Sequence, residues 1–206
     1  MTSIITGDII NSRGLINQQK WIAPLKKILT DYGRSPKSWE IYRGDSFQLE
    51  IKKPELSLLA AIRIKACIRA VPGLDVRMAI GIGEKSYDAP RITESNGSAF
   101  INSGEQFELL KKIRKNLAVG SPWLELDAEI NMMISLASIA MDRWSHSSAE
   151  IITLSLLYQD LSQKELGDKI NRSQSSVSER QTRASYSEIM ELEKFYRKKI
   201  MQQLQI

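Results

Sequence analysis

Asp8 and Asp45 are the two residues whose types and setting point most directly to chemistry. Asp8 interrupts the apolar, β-branched stretch Ser3-Ile4-Ile5-Thr6-Gly7-Asp8-Ile9-Ile10, which reads as a buried strand. A carboxylate in such a strand is costly unless something pairs with it. Asp45 lies in Ile41-Tyr42-Arg43-Gly44-Asp45-Ser46-Phe47-Gln48-Leu49-Glu50-Ile51, two short alternating strands folded back at Gly44-Asp45. Gly tolerates positive φ and Asp can bond nearby backbone, so Gly44-Asp45 is turn chemistry in its own right. If the two carboxylates meet, they repel unless a cation neutralises them, and oxygen donors of this kind suit Mg²⁺.

The elements around them decide whether they meet. After the first strand, Trp21, Ile22, Leu25, Ile28, Leu29 and Tyr32 recur at helical spacing, and Gly33 with Pro36 stops that helix. The hairpin follows. Pro54 opens a second helix with the stripe Leu58, Leu59, Ile62, Cys67 and Ile68, ending before Pro72-Gly73. Residues 76–83 read as a strand, 84–98 as a loop, 100–115 as a helix, and 117–124 as a short strand or turn. The glycines at the end of the 76–83 strand lack phosphate-loop spacing and read as close-packing positions. The order β-α-β-β-α-β predicts an α+β, ferredoxin-like domain. Its right-handed crossover sets the first and second strands parallel, with the third between them and antiparallel to both. The end of strand one then lies beside the start of strand three, which brings Asp8 to Asp45.

These motifs resemble known proteins. Gly7-Asp8-Ile9-Ile10-Asn11-Ser12 and Tyr42-Arg43-Gly44-Asp45-Ser46-Phe47 look like the metal-binding strand and hairpin of class III nucleotide cyclases and GGDEF proteins, the palm fold. The closer likeness, over residues 1–115, is to the SatD family, with its G-D-I-x-x-S-R strand and the hairpin matched here by Gly44-Asp45-Ser46-Phe47-Gln48. The resemblance implies a metal set of Asp8, Asp45 and the Ile9 carbonyl, with Mg²⁺ as the cofactor. It also implies a nucleotide-binding set of Asn11, Ser12, Arg13, Gly44 and Asn102. Two positions depart from the pattern. Ser46 stands where related proteins carry an acid, and Gln106 stands four residues after Asn102, where cyclases carry an Arg. Neutral Gln supplies neither the charge nor the bidentate fork of Arg.

A change of composition at Gly120-Ser121-Pro122 leads into an apolar helix over 126–144 and then helices to the end. The chain therefore divides into a palm-like domain (1–122), a connecting helix (123–147) and an all-α domain (148–206). The apolar face of the connecting helix is wide for an isolated helix, which makes it a candidate homodimer element. In the last segment, Ser162 with Glu165 forms a capping box, and Leu166 and Ile170 turn inward. Asn171-Arg172 is a turn, Ser173 caps a second helix, and Val177 anchors it. This stretch resembles the helix-turn-helix of bacterial regulators and of sigma-factor region 4. Gln174, Ser175, Ser178 and Arg180 are expected to face outward, and with Arg172, Ser173 and Arg183 they form the expected DNA-binding set. Gln reads adenine, Arg guanine, and Ser either base or phosphate. Residues 161–206 hold nine Lys or Arg and six Asp or Glu, a surplus of 9 − 6 = +3, modest for a DNA binder.

Across 206 residues the chain is 42% hydrophobic and 26% charged with a formal charge of +5, an ordinary globular balance that permits a polyanionic partner. One cysteine excludes an internal disulfide framework and fits a reducing compartment. No apolar run approaches the ~20 residues of a membrane span, and residues 1–8 lack a basic leader. The expectation is a cytoplasmic protein without a membrane partner. The reading that gives both halves a purpose is a transcriptional regulator, binding a nucleotide or divalent metal at one end and double-stranded DNA at the other. The alternatives are a Mg²⁺-dependent cyclase-like enzyme using Asp8 and Asp45, and an inactive palm used for dimerisation.

Overall fold

A computed structural model of the chain describes residues 1–14 and 17–205. The fold is α+β. Five strands, β1 (Thr2–Ile10), β2 (Trp39–Tyr42), β3 (Ser46–Ile51), β4 (Asp75–Gly83) and β5 (Leu117–Gly120), form one mixed sheet in the order β2-β3-β1-β4-β5. β1 is antiparallel to both β3 and β4, β2 is antiparallel to β3, and β5 runs parallel to β4. β1 is central and covered on both faces, which is why Thr2–Ile10 is apolar or small almost throughout.

The period of two sorts the strand residues between two layers. Ile5, Ile9, Phe47, Leu49, Val76, Met78, Ile80 and Val119 face α1 (Gln19–Thr30) and α2 (Ser57–Arg69). Ile4, Thr6, Ala79 and Ala118 face α3 (Ser98–Ile113). Thr6 and Ser103 hydroxyls bond across this second interface at 3.0 Å. The glycines are what let α3 seat so closely. A Cβ at Gly81 would lie 2.2 Å from the Ala99 carbonyl oxygen and 2.2 Å from the Ser103 nitrogen, and one at Gly83 2.6 Å from the Ala99 nitrogen.

The stretch read as a strand or turn over 117–124 divides at Gly120: β5 ends there and α4 (Leu124–Met141) begins after a short turn. Asn131 of α4 accepts the Val119 N–H and donates to the Val119 carbonyl, both at 2.8 Å, sealing the open edge of β5 with a side-chain amide. Four helices follow: α5 (His146–Leu157), α6 (Gln163–Lys169), α7 (Gln174–Arg183) and α8 (Tyr186–Leu204).

One apolar cluster runs through both halves, from Ile5 and Ile9 to Tyr196 and Ile200. Buried polar groups tie the halves together as well. Tyr196 and Ser57 hydroxyls lie 2.6 Å apart, and Lys65, 1% exposed, reaches Asp75 at 2.9 Å and Asp142 at 2.6 Å. Arg69 donates to the Trp144 carbonyl, and Trp144 in turn donates to that of Ala184. Cys67 is buried on α2, and burial pushes its thiol up to about 11. No described helix is long and apolar enough to cross a membrane.

Candidate functional site

The register of β1 assembles the first site. Asp8 stands opposite Ser46 on β3 and opposite Arg77 on β4. The hairpin turn that supplies Asp45 requires positive φ at Arg43 and Gly44, 52° and 89°; Gly44 meets this without strain. The Asp45 carbonyl then accepts the Ile9 N–H at 3.0 Å, which fixes the turn against the end of β1. Thus Asp8, Ile9 and Asp45 come together as the topology predicts, and the charge on Asp45 is felt at Asp8.

The two carboxylates have different surroundings. Asp45 Oδ2 accepts the Ser12 hydroxyl at 2.8 Å, and Ser12 is itself buried. Asp8 Oδ2 faces Arg77 Nη1 at 3.5 Å, while Asp8 Oδ1 is buried and has no hydrogen-bond partner among the described residues. Burial raises the Asp8 carboxyl above its usual range. Arg77 and then Lys111 pull it back, and Asp45 and Glu108 push it further up. An orphaned carboxylate oxygen beside a second carboxylate fits a hard divalent cation that keeps most of its own water. Among the described residues, no three or more His, Cys, Asp or Glu side chains converge, so the chain offers such a cation few ligands of its own.

The other expected nucleotide contacts divide. Ser12 and Gly44 belong to the site, and Arg13 is exposed in the single 3-10 turn, Ser12–Gly14, that follows β1. Asn11 has φ 65° and donates to the Gly73 carbonyl at 3.3 Å. Asn102 is a correction. Its amide donates to the Ile82 carbonyl at 2.7 Å, and Ile82 pairs with Ser3, five positions from Asp8 and roughly 17 Å along the strand. The N-terminal part of α3 lies at the far end of the sheet, and its later residues Glu108 and Lys111 are the ones felt at Asp8. Gln106 lies over Gly120, where a Cβ would meet its Cγ at 2.6 Å.

Arg77, Glu108 and Lys111 were not singled out from the sequence. The pairing of β4 with β1 carries the signal for Arg77, since the antiparallel register puts it across from Asp8. The 84–97 loop does not approach this site. Lys85 binds Glu50 at 2.9 Å, Arg91 pairs with Glu40, and Glu50 sits opposite Ile4 at the other end of β3.

The second site is built by α5, α6 and α7 around Ile151, Leu166 and Val177, with Ile170 packed against them. Ser162 forms the reciprocal capping box with Glu165. Asn171 takes φ 51° in the turn, and Ser173 accepts the Ser176 N–H at 3.2 Å to start α7. Gly167 permits the tight passage, since a Cβ there would lie 2.5 Å from the Arg172 carbonyl oxygen. Arg172, Ser173, Gln174 and Ser175 are exposed and Ser178 half-buried, together at the start of α7. Arg183 is exposed and pairs with Glu179 one turn earlier. Arg180 departs from the outward placement expected of it. Its guanidinium meets Glu150 of α5 at 3.0 Å and its side chain is 16% exposed.

The profile of the SatD family matches residues 2–204 of the chain. The match extends well past residue 115, where the resemblance seen in the motifs stopped, and takes in α4 to α8. A search of curated proteins finds no match to the chain.

Proposed function

The chain belongs to the SatD family over nearly its whole length, and from that premise we propose that it is a DNA-binding transcriptional regulator whose sheet end binds a nucleotide with a divalent cation. The observation that carries the reading is the exposed start of α7. Two short helices, capped by Ser162 and Ser173 and joined by a tight turn, present Arg172, Gln174 and Ser175 outward on a rigid three-helix support. This is the form in which a helix-turn-helix offers short polar side chains to a major groove. The sheet order and antiparallel pairing around β1 support a ferredoxin-like, palm-type framework for the other end. There Asp8 Oδ1 and the Asp45 carboxylate would hold the cation, and Arg77 and Lys111 would meet phosphate charge. Asp8 and Asp45 would be the residues that hold it, and a bound cation would supply positive charge against both carboxylates. Gln106 lies over Gly120, in line with Ile4 rather than Asp8 and so away from those phosphates, and the proposal is one of binding.

A mobility-shift assay on double-stranded DNA, with and without nucleoside triphosphate and Mg²⁺, tests the reading. The wild type should retard DNA, and Gln174→Ala should weaken binding by about 1–3 kcal/mol if Gln174 reaches a base edge. Calorimetric titration with Mg²⁺ and each triphosphate should give binding that Asp45→Asn abolishes. A chain that retards no DNA and takes up no triphosphate would refute both halves.

A further inference from the structure

Helix α4 leaves an apolar stripe in solvent. Met132 is 69% exposed, Leu136 65% and Ile139 58%, while Ile130 and Ile134 on the opposite side are buried at 1% and 0%. The stripe ends in charge on both sides: Glu125 at the first turn and Arg143 just past the last, both exposed and neither in an ion pair among the described residues. The spacing is symmetric about Ile134. Glu125 precedes it by 134 − 125 = 9 residues and Arg143 follows it by 143 − 134 = 9, while Met132 and Leu136 lie two on either side. Nine residues are two and a half helical turns, so Glu125 and Arg143 share the face directly opposite Ile134 with Met132 and Leu136 between them.

We propose that this face docks a second copy of the chain, α4 against α4 in antiparallel orientation about a two-fold axis at Ile134. Such an interface is self-complementary. Met132 of one copy meets Leu136 of the other, Ala128 meets Ala140, Ile139 meets the stem of Glu129, whose carboxylate is held by Lys199, and Glu125 meets Arg143, each contact occurring twice. Opposed helix directions also place the Glu125 end of one helix dipole beside the Arg143 end of the other. The charge order along the stripe is what selects a second copy over an unrelated partner. This inference does not depend on what either candidate site binds.

Sedimentation velocity on the full chain at low ionic strength and micromolar concentration tests it. The wild type should sediment as a dimer. Leu136→Glu should give monomer with an unchanged circular dichroism spectrum, since Leu136 is 65% exposed. Glu125→Arg and Arg143→Glu should each weaken association by about tenfold or more through like-charge contact, and the double exchange should recover it. A monomeric wild type, a dimer indifferent to Leu136→Glu, or a double exchange no tighter than the singles would each overturn the proposal. So would a monomer whose α4 face captures a different protein.

Discussion

Asp8 stands on a strand hydrogen-bonded on both sides, whereas Gln174 and Ser175 stand at the exposed start of a ten-residue helix. The first site draws on four segments far apart in sequence: the end of β1, the β2–β3 turn, Arg77 of β4 and the later part of α3. Asp8, Asp45 and Arg77 are half-buried, Glu108 and Lys111 are exposed, and charges of both signs meet there. The second site is local, fixed by two serine caps and one small cluster around Leu166 and Val177. Its outward residues are short and mostly neutral, and the acids nearby hold their own arginines. The difference suggests a division of labour. A site built from long-range register responds to anything that moves the layers, while a site built from caps stays intact as long as its own three helices do.

The largest expected effect comes from disturbing the seat of α3. Gly81→Ala puts a Cβ 2.2 Å from two backbone atoms of α3, which no side-chain rotation relieves. The helix must lift, at a cost of about 3 kcal/mol in denaturant unfolding. Because α3 also carries Glu108 and Lys111, triphosphate binding by the folded fraction should fall, while DNA retardation should be preserved. Equal loss of both activities would show that the two ends are not separable in this way. Unchanged stability would mean that the close packing over β4 does not exist.

This contrast also explains what the residues revealed by themselves. The β1–β3 pairing follows from strand order and crossover hand, so the sequence alone brings Asp8 to Asp45. The caps at Ser162 and Ser173 and the inward turn of Val177 are local, and all were legible. Arg77 belongs to no motif, and only the pairing of β4 with β1 leads to it. Asn102 was misplaced because analogy fixed its position within a helix without fixing which end of the sheet that helix starts from. The glycines at 81, 83 and 120 are the signal that α3 crosses β4 and β5 closely, but glycine positions give no direction of approach. Arg180 failed for a different reason. It lies three residues after the inward Val177, on the same side of α7, and the packing of α5 beside that side supplies Glu150 as its partner.

A smaller effect separates the two sites by pH. Burial raises the Asp8 carboxyl, so the folded state holds its proton to a higher pH than the unfolded chain does. By linkage the Asp8 contribution is fully favourable below the unfolded value and is lost as pH rises through the folded one. Asp8→Asn should remove this component, leaving a thermal midpoint at pH 7 equal to or above that of the wild type by about 2–4 °C per kcal/mol recovered. The same variant should lose divalent-cation binding. Stability and binding then move in opposite directions, as expected where an orphaned carboxylate oxygen is retained for a ligand. A lower midpoint would show instead that the pair with Arg77 outweighs desolvation.

The smallest effect is the sharpest test of the comparison, since it concerns one arginine on the otherwise open α7. In the free protein the Arg180 guanidinium is held by Glu150, and reaching DNA would require it to leave a half-buried carboxylate. Such a departure costs on the order of 1 kcal/mol or more, about what one new contact to a base would return. Arg180→Ala should therefore change DNA affinity by less than about threefold, under 0.7 kcal/mol, where Gln174→Ala costs about tenfold. Glu150→Gln frees the guanidinium at little cost to packing and should tighten binding, with a steeper dependence on salt as one more cation reaches phosphate. If Arg180→Ala instead matches Gln174→Ala, the ion pair opens on binding. The start of α7 would then not be the whole reading surface, and Glu150 would act as a latch on its most discriminating residue.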